Sequence, residues 1–317
     1  MQSYVKREAL IEDVREALAR TGFFLSDRHG ERGLCFDFVA RRDDQLLIIK
    51  VLQNVDALSK ATADELRVIA RTLRGAPVVI GERSGTGSLE EGVIYTRFDV
   101  PILSRKTFLE FFEEGVPPFI YSAPGGLYVR LDAEALRRLR EERQLSLGSL
   151  AEMAGVSRRT IQMYLEGMSA SIDVATRLEE VLGEPLVMPV DPFSIMREVK
   201  EALRSPVVLE AFEKALFQRL QRLGFDVLPT VRSPFDAFTQ HDEKTLLTGV
   251  ESPDTNLERK AAVVSNISRV VERDAVLFVD RRSIRVTIQG LPVITREELK
   301  KVKDRDAVED LIEERKG

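Results

Sequence analysis

Two spacings of apolar residues alternate along the 317-residue chain and divide it into elements. In residues 6–20, Leu10, Ile11, Val14, Ala17 and Leu18 fall on one face of a helix, and Thr21-Gly22-Phe23 ends it. Residues 34–40 read as a strand, 41–44 as a turn, and 46–52 as an apolar, buried strand. A helix over 61–74 and a third buried strand over 77–80 follow. Gly81 to Gly92 reads as a glycine-containing loop. Val100 to Leu103 is a short apolar run, and Ser104 is placed to cap a helix over 105–114. There Phe108, Phe111 and Phe112 sit at packing positions. Pro117-Pro118 and Ser122-Ala123-Pro124-Gly125-Gly126 read as a linker.

Helical spacing then dominates residues 131–183. Leu136, Leu139, Leu150, Ala151 and Ala154 share it, as do Ile161 and Leu165, then Ala175, Leu178, Val181 and Leu182. Between two of these runs stands Ala154-Gly155-Val156-Ser157. Gly155 suits a left-handed turn residue, Val156 a buried plug, and Ser157 an N-cap. The helix it caps opens with Arg158-Arg159-Thr160. A short helix, a glycine turn and a second helix with long donor side chains form a helix-turn-helix, whose second helix enters the major groove. The stretch LRRLREERQLSLGSLAEMAGVSRRTIQMYLEG resembles the Cro/C1-type helix-turn-helix of phage repressors. It departs from that pattern at Leu147, where the family often has Gln, and in Met168-Ser169-Ala170-Ser171, where a Pro is usual.

Pro185, Pro189 and Pro192 read as a second linker, followed by helices over 193–204 and 207–223. Beyond them the amino-terminal pattern recurs. Gly22-Phe23 has a counterpart in Gly224-Phe225, Phe36-Asp37 in Phe235-Asp236, and 100–105 in 291–296. Two copies of one α/β domain flanking the helical module are therefore expected. The carboxy-terminal run 309–316 is expected as a solvated helix end.

Each copy resembles the restriction-endonuclease-like fold. Active members of that fold hold a divalent metal between an Asp on one strand and a Glu/Asp-x-Lys on the next. Asp37 and Asp236 sit at the first position. The second carboxylate position, thirteen residues on, falls on Lys50 in one copy and Gly249 in the other. Both copies are read as degenerate, with no catalytic residue and no metal.

Composition narrows the picture further. A 44% hydrophobic content supports real cores. Cys35 is the one cysteine, which excludes an internal disulfide, and His29 and His241 leave little for zinc. The net charge of −5 does not advertise a nucleic-acid partner. From Arg130 to Glu184 there are eight Arg and ten Asp/Glu, so DNA binding requires Arg137, Arg138, Arg140, Arg143, Arg158 and Arg159 to share a face. The run Gly81 to Ser88 lacks the Gly-Lys-Ser/Thr ending of a phosphate loop. The first residues lack an apolar signal core, and no run approaches the roughly 20 apolar residues of a membrane span. A cytoplasmic protein with no cofactor is expected.

As a whole the chain resembles an archaeal family of helix-turn-helix, Cro/C1-type transcriptional regulatory proteins, through the module and through Leu46 to Asp56. That resemblance implies a transcription regulator. The expected fold is α/β plus all-α: a degenerate nuclease-like domain over 1–121, the helix-turn-helix over 127–185, and a second such domain over 191–317. The expected partner is double-stranded DNA, read by a homodimer. Ser157, Arg158, Arg159, Thr160, Gln162 and Met163 are the candidate DNA-binding residues. A metal-dependent nuclease guided by the module, or an antitoxin-like protein-interaction module, are the alternatives.

Overall fold

The computed structural model describes residues 2–28, 33–193, 209–251, 256–280 and 285–316. Helix α1 (Gln2–Arg20) buries Leu10, Ile11, Val14, Ala17 and Leu18, as its spacing predicts. Then come β1 (Phe24–Leu25), β2 (Phe38–Arg42), β3 (Gln45–Asn54), α2 (Lys60–Leu73), β4 (Ala76–Ser84), β5 (Gly87–Ser88), β6 (Val93–Arg97) and β7 (Val100–Ser104). Ser104 caps α3 (Arg105–Leu109), which continues as a π-helical turn over Glu110–Glu114. The middle of the chain is β8 (Ile120–Ala123), β9 (Gly126–Leu131), α4 (Ala133–Glu142), α5 (Leu147–Ala154), α6 (Arg158–Leu165), β10 (Ala170–Ser171), α7 (Ile172–Leu182) and β11 (Val187–Met188). The last part holds α8 (Ala211–Arg222), β12 (Asp226–Pro229), β13 (Ala237–His241), β14 (Lys244–Val250), α9 (Leu257–Val271), β15 (Ala275–Val279), β16 (Thr287–Ile288), β17 (Leu291–Thr295), α10 (Arg296–Lys301) and α11 (Asp306–Glu314). The helix expected over 193–204 lies, apart from Phe193, outside the described residues.

Two compact units emerge, each drawn from several stretches: 1–17, 52–58 and 78–199 in one, 18–51, 59–77 and 200–317 in the other. In the first unit the strand order is β4-β7-β6-β8-β9-β10. The segments expected as linkers turn out to be part of this sheet. Pro124-Gly125-Gly126 is the turn of the β8–β9 hairpin, with Gly125 and Gly126 at φ 101° and 142°. In β9, Val129 and Leu131 are buried, the alternation of a half-buried strand. The Pro-rich segment after α7 pairs with it too, Val187 opposite Leu131. The loop expected over 81–92 is instead the end of β4 and its hairpin with β5, Arg83 opposite Ser88.

The second unit contains β1-β2-β3 and a sheet of order β12-β13-β14-β15-β17-β16. The antiparallel pairs β1–β2 and β2–β3 recur as β12–β13 and β13–β14. In the first unit, β4–β7 parallel and β7–β6 antiparallel recur here as β15–β17 and β17–β16. The amino- and carboxy-terminal parts of the second unit also exchange side-chain caps. Glu65 on α2 accepts from the backbone N–H groups of Val231 and Arg232 at 2.7 and 2.6 Å. Asn266 on α9 accepts from Asp27 N at 2.6 Å. Arg41 on β2 donates to the last carbonyls of α9, Val270 and Val271, at 2.9 and 3.0 Å, a favourable place for a cation. Cys35 is wholly buried here, and burial pushes its thiol well above the ordinary range, with the Glu65 carboxylate adding to the effect. That leaves it an inert core residue.

The carboxy-terminal run exposes Asp310, Glu313, Glu314 and Lys316 on a helix end, as expected, while α11 docks through Val308 and Ile312. Arg315 reaches Glu298 Oε1 and the Val293 carbonyl, both at 2.6 Å. Its hydrogen bond holds the Glu298 carboxyl down at about 2.

Candidate nucleic-acid interface

The helical module is built on one apolar cluster. Leu136 and Leu139 of α4, Leu150 and Ala154 of α5, Ile161 and Tyr164 of α6, and Leu178 and Leu182 of α7 meet Val129 and Leu131 of β9. Ser157 caps α6 as its position predicts, and α4 and α5 carry side-chain caps too. Asp132 accepts from Glu134 and Ala135, Ser146 from Ser149, and Ser157 from Thr160 at 3.1 Å. Gly155 ends α5 at φ 70°, a conformation in which any other residue is strained. Val156 is half-buried against the module core, the plug its position implies. Burial raises the Tyr164 phenol, with the nearby Tyr128 ring acting in the same direction. Tyr164 is buried in the same cluster as Val129 and Leu131 of β9.

The arginines divide into two groups. Arg137 donates to the Leu165 carbonyl at the end of α6 (2.7 Å), and Arg177 to Ala154 at the end of α5 (2.8 Å). Arg143 reaches the Val181 carbonyl near the end of α7 at 3.4 Å. These guanidiniums satisfy orphan carbonyls where the helix dipole favours a cation. Arg138 pairs with Glu142 and Glu184, and Arg140 with Glu141. Of the six arginines expected to share a face, four have partners within the module. The physical reason is local. Each helix of the module ends on carbonyls that need donors, and the glutamates next to Arg138 and Arg140 neutralise them.

Arg158 and Arg159 are different. Both are exposed on the first turn of α6, and neither makes a hydrogen bond or ion pair with any described residue. The Arg158 guanidinium lies across Gly148 on α5, where an added Cβ would come within 2.9 Å of its Nε and Nη2. Gly148 thus leaves room for Arg158 beside the start of α5. Gln162 is exposed one turn later and donates to Glu166 at 3.0 Å. Thr160 is half-buried, its hydroxyl 2.8 Å from that of Ser157. Met163 is 37% exposed and Met153, on α5, is 50% exposed. The sequence pattern brings the six candidate residues together on one helix start. It did not single out Gly148 or Met153. A small residue one position inside a capped helix was the available signal for the first.

The two retained aspartates have matching backbone settings. Asp37 N donates to Ile49 O and Asp37 Oδ2 accepts from Val51 N, at 2.7 Å each. Asp236 N donates to Thr248 O at 2.8 Å, and its Oδ2 accepts from Val250 N at 2.6 Å. Asp37 then faces Lys50 Nζ at 3.4 Å. Asp236 faces Lys260 Nζ, at 2.9 Å from Oδ1 and 2.7 Å from Oδ2. Lys260 sits on α9, a position the strand spacing could not reveal. Glu251, two residues past Gly249, accepts from Asp280 N at 3.2 Å. Among the described residues, no group of three His, Cys, Asp or Glu side chains is placed to hold a metal. The donor set fits a lysine ammonium and does not fit a divalent cation. Among the described residues, no helix is long and apolar enough to cross a membrane.

Comparison with known proteins agrees with this layout. Residues 7–118 match the model of a PD-(D/E)XK superfamily domain, and residues 136–187 match a helix-turn-helix model. Relatives named "Putative HTH-type transcriptional regulatory protein" align along nearly the whole chain. One from Natronomonas pharaonis is 39% identical over 315 residues, 98% of this chain and 99% of its own length. One from Methanosarcina mazei is 38% identical over 320 residues, 98% of each chain. One from Archaeoglobus fulgidus is 36% identical over 291 residues, 92% of this chain and 93% of its own. No solved structure matches the chain.

Proposed function

The chain belongs to this archaeal family of HTH-type transcriptional regulatory proteins, and we propose that it reads a specific operator by placing α6 in the major groove. One observation carries the reading: two arginines stand uncommitted on the first turn of α6, on a module whose other arginines, apart from Arg130, have internal partners. Arg159 and Gln162 suit base edges, Arg for guanine and Gln for adenine. Arg158, lying over Gly148, suits a base edge or the phosphate beside the start of α5, where Leu147 cannot donate. Ser157, Thr160 and the helix-start N–H groups position the backbone, and Met163 packs beside them.

A single module reads few base pairs, so we propose a two-fold dimer on a palindromic site, with half-site centres roughly 34 Å apart or a multiple of that. The α/β parts act as scaffold and carry no catalysis. Residues 191–317 are a second, degenerate copy of the fold in 1–121, and in sequence the module at 127–185 lies between them. The repeated strand order and the matched aspartates support this.

Selection of genomic fragments bound by the purified protein, followed by incubation with Mg²⁺ or Mn²⁺, tests the proposal. A discrete palindromic motif without cleavage is expected. Absence of any enriched motif, or metal-dependent cutting, would overturn it. Sedimentation on an enriched fragment should show two chains per site, and one chain per site would remove the dimer.

A further inference from the structure

We propose that Lys50 and Lys260 are resident cations, each standing where the fold's metal-binding relatives hold a divalent ion. Each α/β site is thereby closed for good rather than awaiting metal. The first site stands on the matched PD-(D/E)XK domain. The second also rests on reading residues 191–317 as a repeat.

A carboxylate taken out of water needs a cation beside it. Asp37 is 3% exposed, so its charge has to be balanced locally. Lys50 supplies the balance from the neighbouring strand, and its ammonium also donates to the Leu34 carbonyl at 2.8 Å. In the second site the strand position opposite the aspartate is Gly249, which offers no side chain. A Cβ there would come within 2.6 Å of Leu277 Cδ2, so a carboxylate cannot be accommodated without repacking. The Lys260 stem passes 3.9 Å from that same point on its way from α9. Its ammonium meets Asp236 Oδ1, Asp236 Oδ2 and the Val250 carbonyl at 2.9, 2.7 and 2.7 Å.

An ammonium has three hydrogens, and Lys260 has a near acceptor for each. None is left for a nucleic-acid phosphate or a substrate oxygen. The same aspartate setting is thus neutralised twice, by lysines from different elements: strand β3 in one site, helix α9 in the other. Packing alone does not require a positive charge to arrive at the same place by two routes. Charge balance at the aspartate does.

The test uses the full-length protein and three measurements. The wild type is melted in EDTA and in millimolar Mg²⁺ or Mn²⁺, and titrated with Mn²⁺ in a calorimeter. Unchanged melting temperature and no Mn²⁺ binding heat are expected. Melting is then compared for Asp236→Asn, Lys260→Met and the double variant, and for the corresponding Asp37 and Lys50 set. Each single change should lower the melting temperature by about 5 °C or more, and each double by clearly less than the sum of its singles. A Mn²⁺-dependent rise in the wild type that Asp37→Asn or Asp236→Asn abolishes would overturn the proposal. Strictly additive losses would overturn it too. If a variant does not fold, the wild-type Mn²⁺ measurements still decide. If only the second pair proves additive, the repeat reading fails while the first site stands.

Discussion

On the first turn of α6, two guanidiniums stand exposed with no polar partner among the described residues; in the α/β parts, the ammoniums of Lys50 on β3 and Lys260 on α9 are held against carboxylates, the first pair buried and the second half-buried. The sequence writes both as basic residues in structured segments. The difference lies in what each charge does for folding. A buried pair was taken out of water, so losing one member strands the other. An exposed arginine loses little water on folding and stays available to an external anion. Charge committed to the fold and charge left exposed on α6 are therefore carried by different elements in this molecule.

The largest expected effect tests the buried side. Lys50→Met should lose on the order of 3–5 kcal/mol in urea unfolding, while the fraction that remains folded binds its operator with unchanged affinity. Equal loss of both would merge the two classes of charge. On the exposed side, Arg158→Ala or Arg159→Ala should weaken operator binding by about 1–3 kcal/mol and leave stability within about 0.5 kcal/mol. Electrophoretic mobility shifts beside urea melts read both quantities, and unchanged affinity in both variants would reassign the interface.

A smaller effect concerns Glu298, whose carboxyl titrates at about 2 instead of 4.5 because Arg315 bonds its ionised form. A folded-state value below the unfolded one adds stability that is complete above about pH 4.5 and disappears as the pH falls toward 2. Glu298→Gln should therefore melt lower than wild type at neutral pH, with the gap closing across that window in a pH series of thermal melts. The smallest effect is at Arg138, exposed and shared between Glu142 and Glu184. Arg138→Ala should change neither melting nor operator affinity measurably. A clear loss of affinity there would return it to the DNA-facing set.

Much of this was legible in the chain. The caps at Ser104 and Ser157, the left-handed Gly155 and the buried stripe of α1 follow from local rules, and local rules were enough for them. The strands at 120–131 were not legible as strands. Pro124-Gly125-Gly126 signals a turn, but a turn in a hairpin and a turn in a tether look alike until the partner strands are known. The six arginines looked like one patch because side-chain spacing does not report which helix-end carbonyls come within reach. Lys260 was invisible for the same reason. It sits 24 residues from Asp236, on another element, and only the bare Gly249 hinted that something else fills the space.

Strand β9 receives β10 from within the helical module and β11 from just after it, so backbone hydrogen bonds fix the module to its sheet on both sides of α7. A module on a loose tether can swivel to follow its target around the duplex. One held in a ladder keeps its angular setting. Each base pair inserted between two half-sites turns one relative to the other by roughly 34°, and a tether absorbs that rotation where a paired strand does not. The expected consequence is a regulator that is strict about the helical phase of its operator. For the proposed dimer, sites differing by a whole turn of DNA are expected to be equivalent in angle, and sites differing by half a turn are expected not to be spanned.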